Sequence, residues 1–270
     1  MVSSRESLVS LRARLRSLAP GLKEGHARVV NLVIADPQFV LNATAAEIAE
    51  RSGVSAATAV RAARSAGFSG LPALKQALAA ALGSGSPVTT PKALAEVRTA
   101  KDLTDVILAS HAESLRAAQD TISPSTLAAA AQQLRSAGRV LLAASGTSLP
   151  VATDAAYRLT MGGLTVQHSA DNYSSVVLAG LLQPKDVLIA VSHSGVTRQT
   201  LDVVDVAQAA GASVIGVTSF SGSPLARTAD LPLIAIGSTG TEQLVESSSR
   251  IAHLAVVDLL CSAVALGLNA

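Results

Sequence analysis

Apolar residues change their rhythm along this chain, and the change divides it. Up to about residue 82 they recur at helical spacing, and every stretch reads as helix. Gly83-Ser84-Gly85-Ser86-Pro87, followed by Thr89-Thr90-Pro91, then breaks the pattern with the density of Gly, Ser and Pro expected of a linker. Beyond it, two helices are predicted, over Asp102–Ala118 and Ser125–Ala137. Short apolar runs follow at Arg139–Ala144, Leu164–Gln167, Asp186–Val191, Ser213–Thr218 and Leu231–Ala235, each with the length of a buried strand. Helical stretches at Pro150–Met161, Thr197–Ala210 and Glu246–Leu266 separate or follow them. Strand and helix in alternation predict right-handed βαβ units and a parallel sheet covered on both faces. The expected fold class is α/β. An all-helical head occupies residues 1–82, a linker 83–100, and an αβα sandwich with a five-stranded parallel sheet 101–270. No short internal repeat is visible.

Composition supports that architecture. Hydrophobic residues make up 49% of the chain but aromatics only 2%, with no Trp, so packing rests on Ala, Val, Leu and Ile. That suits helices and a buried parallel sheet better than an aromatic-rich sandwich. Cys261 is the single cysteine, which excludes an intramolecular disulfide and a Cys-based metal cluster. Its apolar neighbours Leu259, Leu260 and Val264 point to an inert core thiol. The five histidines lack metal-ligand spacing, and neither a metal nor a cofactor is expected. The first thirty residues carry scattered Arg and no continuous apolar core, and no apolar run reaches membrane-spanning length. A soluble, cytoplasmic protein without membrane contact is therefore expected.

Charge adds an asymmetry. The net +2 divides into 10 Lys/Arg against 5 Asp/Glu in residues 1–82, and 11 against 14 in the remainder. A basic first third suits a polyanionic partner.

Residues 44–68 give that partner a shape. Thr44 and Glu47 form a capping box, Gly53 permits a sharp turn, Ser55 is a good N-cap for a second helix, and Gly67 ends it. Two short helices joined by a Gly-containing turn make the helix-turn-helix pattern. On the second helix Ala57, Val60 and Ala63 are expected to pack inward with Ile48, leaving Thr58, Arg61 and Arg64 on the other side. Such a helix fits the DNA major groove, where Arg bonds guanine edges and Ser or Thr bonds phosphate or base. An Arg-bearing surface helix of an ordinary bundle satisfies the same local pattern.

Here the chain resembles the RpiR family of regulators. The resemblance rests on Asp36-Pro37, Ala46–Ala49, Gly53-Val54-Ser55, Ala57-Thr58, Arg61, Gly67-Phe68-Ser69-Gly70 and Leu74-Lys75, over roughly residues 5–82. It implies that Ser55, Thr58, Arg61 and Arg64 face operator DNA, and that Lys75 is a candidate phosphate contact. Relatives often have a bulky residue after the recognition arginine, where this chain has Ala62-Ala63.

Two polar turns end predicted strands further on: Ala144-Ser145-Gly146-Thr147-Ser148 and Ser192-His193-Ser194-Gly195-Val196-Thr197. Ligands of doubly wound sheets bind at the carboxyl ends of strands, and hydroxyls with backbone N–H groups at a helix N-terminus receive anions. Ser192, Ser194 and Thr197 are candidates to surround a phosphate. Ser145, Gly146, Thr147 and Ser148 are candidates for the same role or for sugar hydroxyls. Plain helix-capping loops would look alike one at a time; two of them favour a ligand site. No Gly-Lys-Ser/Thr follows either turn and the dinucleotide fingerprint lacks its third glycine, so a small phosphorylated metabolite is expected rather than a nucleotide.

Residues 125–268 resemble the sugar isomerase (SIS) domain, in which a Ser-x-Ser-Gly-x-Thr loop holds a phosphosugar. The match includes Asp154-Ala155-Ala156-Tyr157, Ser192–Thr197, Ser223-Pro224-Leu225-Ala226, Ser249-Arg250-Ile251-Ala252 and Asp258-Leu259. RpiR-family regulators pair this domain with the helix-turn-helix head in this order. Val196 stands where the common loop has Glu. His193 either touches ligand or is a spacer pointing away; His168, Asp171 and Asn172 are candidates for the pocket wall. His253 is expected to be packed or at an interface, and His26 and His111 at the surface. Glu246 is a candidate sugar contact, since related isomerases place a catalytic Glu in this region. Ile251, Leu254, Val257 and Leu260 form an apolar face open to dimerisation or to the core.

The expectation is a sugar-phosphate-responsive DNA-binding regulator, not an enzyme, working as a homodimer or homotetramer. A phosphosugar aldose–ketose isomerase is the alternative, and a DNA-binding architectural protein a third.

Overall fold

The computed structural model describes residues 8–83, 97–236 and 242–268. The chain divides into two compact units, residues 1–106 and 107–270, with the boundary inside a helix.

The first unit contains α1 (Leu8–Leu18), α2 (Glu24–Ala35), α3 (Pro37–Asn42), α4 (Ala45–Ser52), α5 (Ala56–Ser65) and α6 (Leu71–Gly83), with a short 3-10 turn at Ala19–Gly21. Sequence signals set their ends. Asp36 accepts from the Phe39 N–H at 3.0 Å and precedes Pro37, so α3 starts at a residue with no N–H to lose. At α4 the Thr44–Glu47 capping box forms in both directions, and it holds the Glu47 carboxyl below its usual range through the Thr44 backbone and hydroxyl bonds. Gly53 ends α4 in the left-handed region at φ 62°. Leu11, Val30, Ile48, Leu74 and Leu78 meet in one core, essentially removed from solvent. Each contributes roughly 1.5–3 kcal/mol by leaving water.

The inward face of α5 differs from the expectation. Ala59, Ala62, Ala63 and Ala66 are buried, whereas Ala57 is exposed and Val60 only half-buried. With alanine at so many positions, the sequence offers no contrast in side-chain size by which to phase the helix.

Helix α7 (Ala100–Thr121) carries the boundary, and α8 (Pro124–Ser136) follows it in the second unit. It continues through β1 (Val140–Ala144), α9 (Leu149–Met161), β2 (Val166–His168), α10 (Asn172–Gly180) and β3 (Val187–Val191). The chain then passes through α11 (Arg198–Ala209), β4 (Ser213–Thr218), α12 (Pro224–Thr228), β5 (Leu231–Ile234) and α13 (Glu242–Leu266). The five strands form one parallel sheet in the order β2-β1-β3-β4-β5. All five expected strands are present. Helices α10 and α12, absent from the sequence-based series, are short and carry little periodicity.

Successive strand residues alternate between two cores. Val140, Leu142, Val187 and Ile189 pack with Leu134 of α8, Leu159 of α9 and Val256 of α13. Leu141, Ala143, Leu188 and Ala190 pack with Ala179 of α10, Val203 of α11 and Leu225 of α12. This is the αβα sandwich, and it explains why strands buried on both faces read as unbroken apolar runs. Val257 and Leu260 belong to the first of these cores, with Leu254 packed against it.

One expectation about membranes needs correction. Ser249–Leu266 of α13 is long and apolar enough to span a bilayer by length and composition. Ala252, Val256, Val257, Leu260 and Ala263 of that stretch are buried against the sheet, as in the core helix of a sandwich.

Candidate functional site

Strand order fixes where a ligand can enter. From β1 the chain crosses to β2 at one edge, then returns past β1 to β3 on its other side. The reversal makes the carboxyl ends of β1 and β3 the switch point of the sheet, where such folds open a crevice. Ala144 of β1 pairs with Val191 of β3, so the two polar turns leave the sheet from paired positions.

The first turn climbs through Gly146, at φ 56°, into a 3-10 turn over Gly146–Ser148 and then α9. The Ser148 N–H donates to the Ser145 carbonyl at 3.2 Å. Ser148 is buried, Ser145 half-buried, and Gly146 and Thr147 are exposed. A Cβ placed on Gly146 would meet nothing within 4 Å, so the space over the turn is open.

The second turn is built more tightly. Ser192 is buried, and its hydroxyl accepts from the Gly195 N–H at 3.1 Å and lies 3.0 Å from the Thr197 hydroxyl. These contacts shape the turn, with Ser194 half-exposed at the crest and its Oγ 3.4 Å from the Val196 N–H. Gly195 sits at φ 64° above β4 and α12; a Cβ there would lie 2.2 Å from Ser223 Oγ. The Gly195 carbonyl accepts from the Leu225 N–H at 3.0 Å. Thr197 precedes α11 without capping it through its side chain, so the first-turn N–H groups of α11 face the same end of the sheet as the serines. The result is a cradle of neutral donors at a helix N-terminus, which suits a phosphate dianion without a fixed cation.

One ring nitrogen of His193 is engaged within the fold. Its ring Nδ1 lies 3.0 Å from Ser219 Oγ, beyond the end of β4, and Ser219 Oγ lies 3.0 Å from Nε2 of His253 on α13. His253 is buried, as expected for a packed histidine. Burial, and then the neighbouring His193, push its imidazole down to about 3, while a hydrogen bond to the Ala235 backbone acts in the opposite direction. Sequence reasoning missed Ser219 altogether, and nothing in its local pattern marks it.

The remaining candidates take structural posts. His168 Nε2 lies 3.1 Å from the Thr153 hydroxyl and its Nδ1 3.4 Å from the Leu142 carbonyl. Asp171 caps α10 by accepting from the Tyr173 and Ser174 N–H groups, and the Ser174 hydroxyl, followed by these N–H bonds, holds its carboxyl below its usual range. Asn172 is the first residue of that helix. The side chain of Glu246 lies outside the described residues. His26, with Nδ1 2.9 Å from Ser65 Oγ, and His111 are both half-buried. Cys261 is half-buried, and burial pushes its thiol up, away from reactivity.

A cavity of about 480 Å³ opens at the opposite end of the sheet, lined by Leu134, Gly138, Arg158, Gly163, Thr165 and Cys261 among others. Helices α8, α9 and α13 end there, presenting carbonyls instead of the N–H donors that a phosphate needs.

In the first unit α4 and α5 form two helices around the turn at Gly53. Ser55 Oγ accepts from the Thr58 N–H at 3.2 Å and lies 2.8 Å from Thr58 Oγ1, toward which Arg61 Nη2 reaches at 3.5 Å. Ser55, Thr58 and Arg61 thus make a connected polar string three residues apart, with Arg61 and Arg64 both exposed. Thr58 is half-buried, since its methyl group faces Gly25 of α2. Lys75 is half-buried and donates to the Ala43 carbonyl, which closes the end of α3. That bond gives it a role inside the fold.

Comparison with known proteins is consistent across the chain. Residues 9–85 match the helix-turn-helix domain of the rpiR family, and residues 133–263 match the SIS domain. The chain is 31% identical to the HTH-type transcriptional regulator HexR of Pseudomonas aeruginosa, covering 95% of this chain and 90% of that one. It is 32% identical to the bifunctional protein glk of Burkholderia thailandensis, where it spans 94% of itself but only 39% of the relative. Among solved structures, the Vibrio vulnificus NanR protein complexed with ManNAc-6P shares the fold, with a TM-score of 0.59 and 24% identity over 95% of this chain and 92% of that one.

Proposed function

Because the chain belongs to the rpiR family of helix-turn-helix regulators and carries a SIS domain, we propose that it is a transcription regulator whose DNA binding responds to a phosphorylated sugar. One observation carries the reading: two hydroxyl-bearing turns leave the sheet from the paired residues Ala144 and Val191, at its switch point. The phosphate binds Ser194, Gly195, Thr197 and the first-turn N–H groups of α11, with Ser192 and His193 shaping that loop. Ser145, Gly146, Thr147 and Ser148 meet the sugar from the neighbouring strand tip. Glu246 remains a candidate contact from α13.

Ser55, Thr58, Arg61 and Arg64 read the operator, with α5 in the major groove. Lys75 acts on DNA only indirectly, by supporting the α3 end. The regulator works in the cytoplasm as a symmetric oligomer, and a dimer reads a near-palindromic site with half-sites about one helical turn, or a multiple of it, apart. The effector acts by binding two arrangements of the oligomer with unequal affinity. That NanR, alike in fold, is complexed with ManNAc-6P agrees with the ligand class.

An isomerase needs a base beside the sugar carbons. An isomerase has no use for the exposed arginines of α5. A thermal-shift screen of hexose, pentose and amino-sugar phosphates tests the proposal, since a ligand of the folded state raises its apparent stability. Stabilisation by one phosphosugar, and not by its unphosphorylated parent, is expected. Stabilisation by none would refute the effector reading.

A further inference from the structure

An arginine from outside the helix-turn-helix pair stands over its turn. Arg28 belongs to α2 and is exposed. A Cβ built on Gly53, the residue that ends α4, would lie 4.0 Å from Arg28 Nη1. Ser55, the N-cap of α5, follows two residues after that glycine. The guanidinium therefore sits toward the end of α5 that carries Ser55 and Thr58.

Packing fixes the helix that carries it against α5. One turn earlier on α2, Gly25 approaches so closely that a Cβ there would lie 3.3 Å from Thr58 Cγ2 and 3.6 Å from Val54 Cγ1. Val29 and Val30, which follow Arg28, are buried in the core that also holds Ala59 and Ala62 of α5. The backbone at Arg28 thus keeps its place relative to α5, and only the outer atoms of the side chain are left to move.

The fold makes no use of this charge. A cation at the end of α4 could serve the last carbonyls of that helix. The Ala49 and Glu50 carbonyls, however, already accept from the Val54 and Gly53 N–H groups, at 2.9 and 3.1 Å. Among the described residues no hydrogen bond or ion pair engages Arg28, not even with Glu24 four positions before it on α2. Other cations of the same unit are engaged within it. Arg51 pairs with Asp36 at 3.0 Å and lies 4.3 Å from the centre of the Phe39 ring, Arg14 lies 4.9 Å from that of Phe68, and Lys75 donates to the Ala43 carbonyl. An exposed guanidinium beside the N-terminal end of a groove-reading helix, with no carboxylate bound to it, suits a phosphate of the DNA backbone.

We infer that Arg28 is a further DNA-binding residue, a backbone-phosphate contact supplied by α2 that sets the register of α5 in the groove without reading a base. The inference rests on the DNA-binding reading above, and it gives Arg28 a task different from that of Arg61 and Arg64. Phosphate contacts position a protein on the duplex and carry no sequence information, so Arg28 adds affinity for every sequence alike. Each neutralised phosphate also releases counterions, and log affinity falls against log salt with a slope of about −0.9 per contact.

Anisotropy of the full chain across a salt series tests this on two duplexes, an operator fragment selected from random DNA and a scrambled duplex of equal length. Arg28→Ala should weaken both duplexes by the same factor and shallow the slope by about 0.9 for each chain bound. Arg28→Gln, which keeps more of the side chain, carries the same expectation. Arg28→Lys should restore the slope, because a phosphate accepts a point charge where a guanine edge asks for the guanidinium fork. Arg51→Ala removes the same single charge from the same unit, yet should leave the slope at the parent value. A slope unmoved by Arg28→Ala and Arg28→Gln, or one that Arg28→Lys fails to restore, would overturn the contact. So would a loss confined to the operator, which marks a base reader, or an equal change in Arg51→Ala, which marks the general field of the unit. A parent chain that bound neither duplex would remove the DNA-binding reading itself, whereas a parent that binds with a slope indifferent to Arg28 removes this contact alone.

Discussion

Gly195 and Ser223 stand so close that no other residue fits at position 195. A Cβ there would come within 2.2 Å of Ser223 Oγ and 2.5 Å of Ser223 Cβ, and the glycine already holds a left-handed φ of 64°. Ser223 cannot retreat, because its hydroxyl caps α12 by accepting from the Ala226 N–H at 3.2 Å. Gly146, the counterpart on the neighbouring turn, has a similar φ but open space above it. The two glycines therefore separate strain from collision.

Gly146→Ala should cost only the left-handed penalty, roughly 1–2 kcal/mol. Gly195→Ala should cost that and about 1–3 kcal/mol more for overpacking, and should abolish the thermal shift produced by the effector. Urea unfolding of both variants, with and without the sugar phosphate, measures the difference. Equal losses would show that Ser223 yields.

Below the strand tips, Asp186 ties the amino ends of β1 and β3. Its Oδ2 accepts from Arg139 Nε at 3.2 Å and Nη2 at 2.8 Å, and from the Gln183 N–H at 2.9 Å. Burial pushes its carboxyl up, but the Arg139 and Gln183 bonds outweigh it and hold the group below its ordinary 3.8. A carboxyl depressed in the folded state stabilises the protein above that ordinary value, and the stability is lost as pH falls through the lower, folded one. Asp186→Asn should therefore destabilise the protein at neutral pH and flatten the stability profile in acid. The loss should stay under the roughly 3–5 kcal/mol of a fully buried pair, since the Arg139 side chain keeps 30% of its surface exposed. Acid-dependent melting of the two proteins checks the sign.

Arg61→Ala and Ser194→Ala should fail in opposite ways. The first removes an exposed guanidinium from α5 and should weaken operator binding by about 1–3 kcal/mol while leaving effector binding intact. The second should leave operator binding intact and remove the response to the effector. Fluorescence anisotropy on DNA, with and without sugar phosphate, distinguishes them. Two variants that lost both properties together would point to stability instead of contact.

Much of this was legible where local chemistry decides. The Thr44–Glu47 box, the turn at Gly53 and the cap at Ser55 are all interactions between residues three or four apart, and all are present. Strands buried on both faces announced themselves as apolar runs. The inner face of α5 was not readable, because Ala57 and Ala59 are the same residue with opposite fates. Nor was the engagement of Lys75 with Ala43, which lies 32 positions away. The row from His193 through Ser219 to His253 joins positions 26 and 34 apart, and only the parallel sheet brings them together.

The coupling between the two ends of the chain is measured most directly by operator binding under effector titration. An operator fragment selected from random DNA would be followed by anisotropy at fixed salt while each sugar phosphate is added. One phosphosugar should change the affinity at least about fivefold, as an allosteric coupling of roughly 1 kcal/mol or more requires. Its unphosphorylated parent and inorganic phosphate should not. An affinity indifferent to every phosphosugar, or a phosphosugar turned over with no change in DNA binding, would contradict a sugar-sensing regulator.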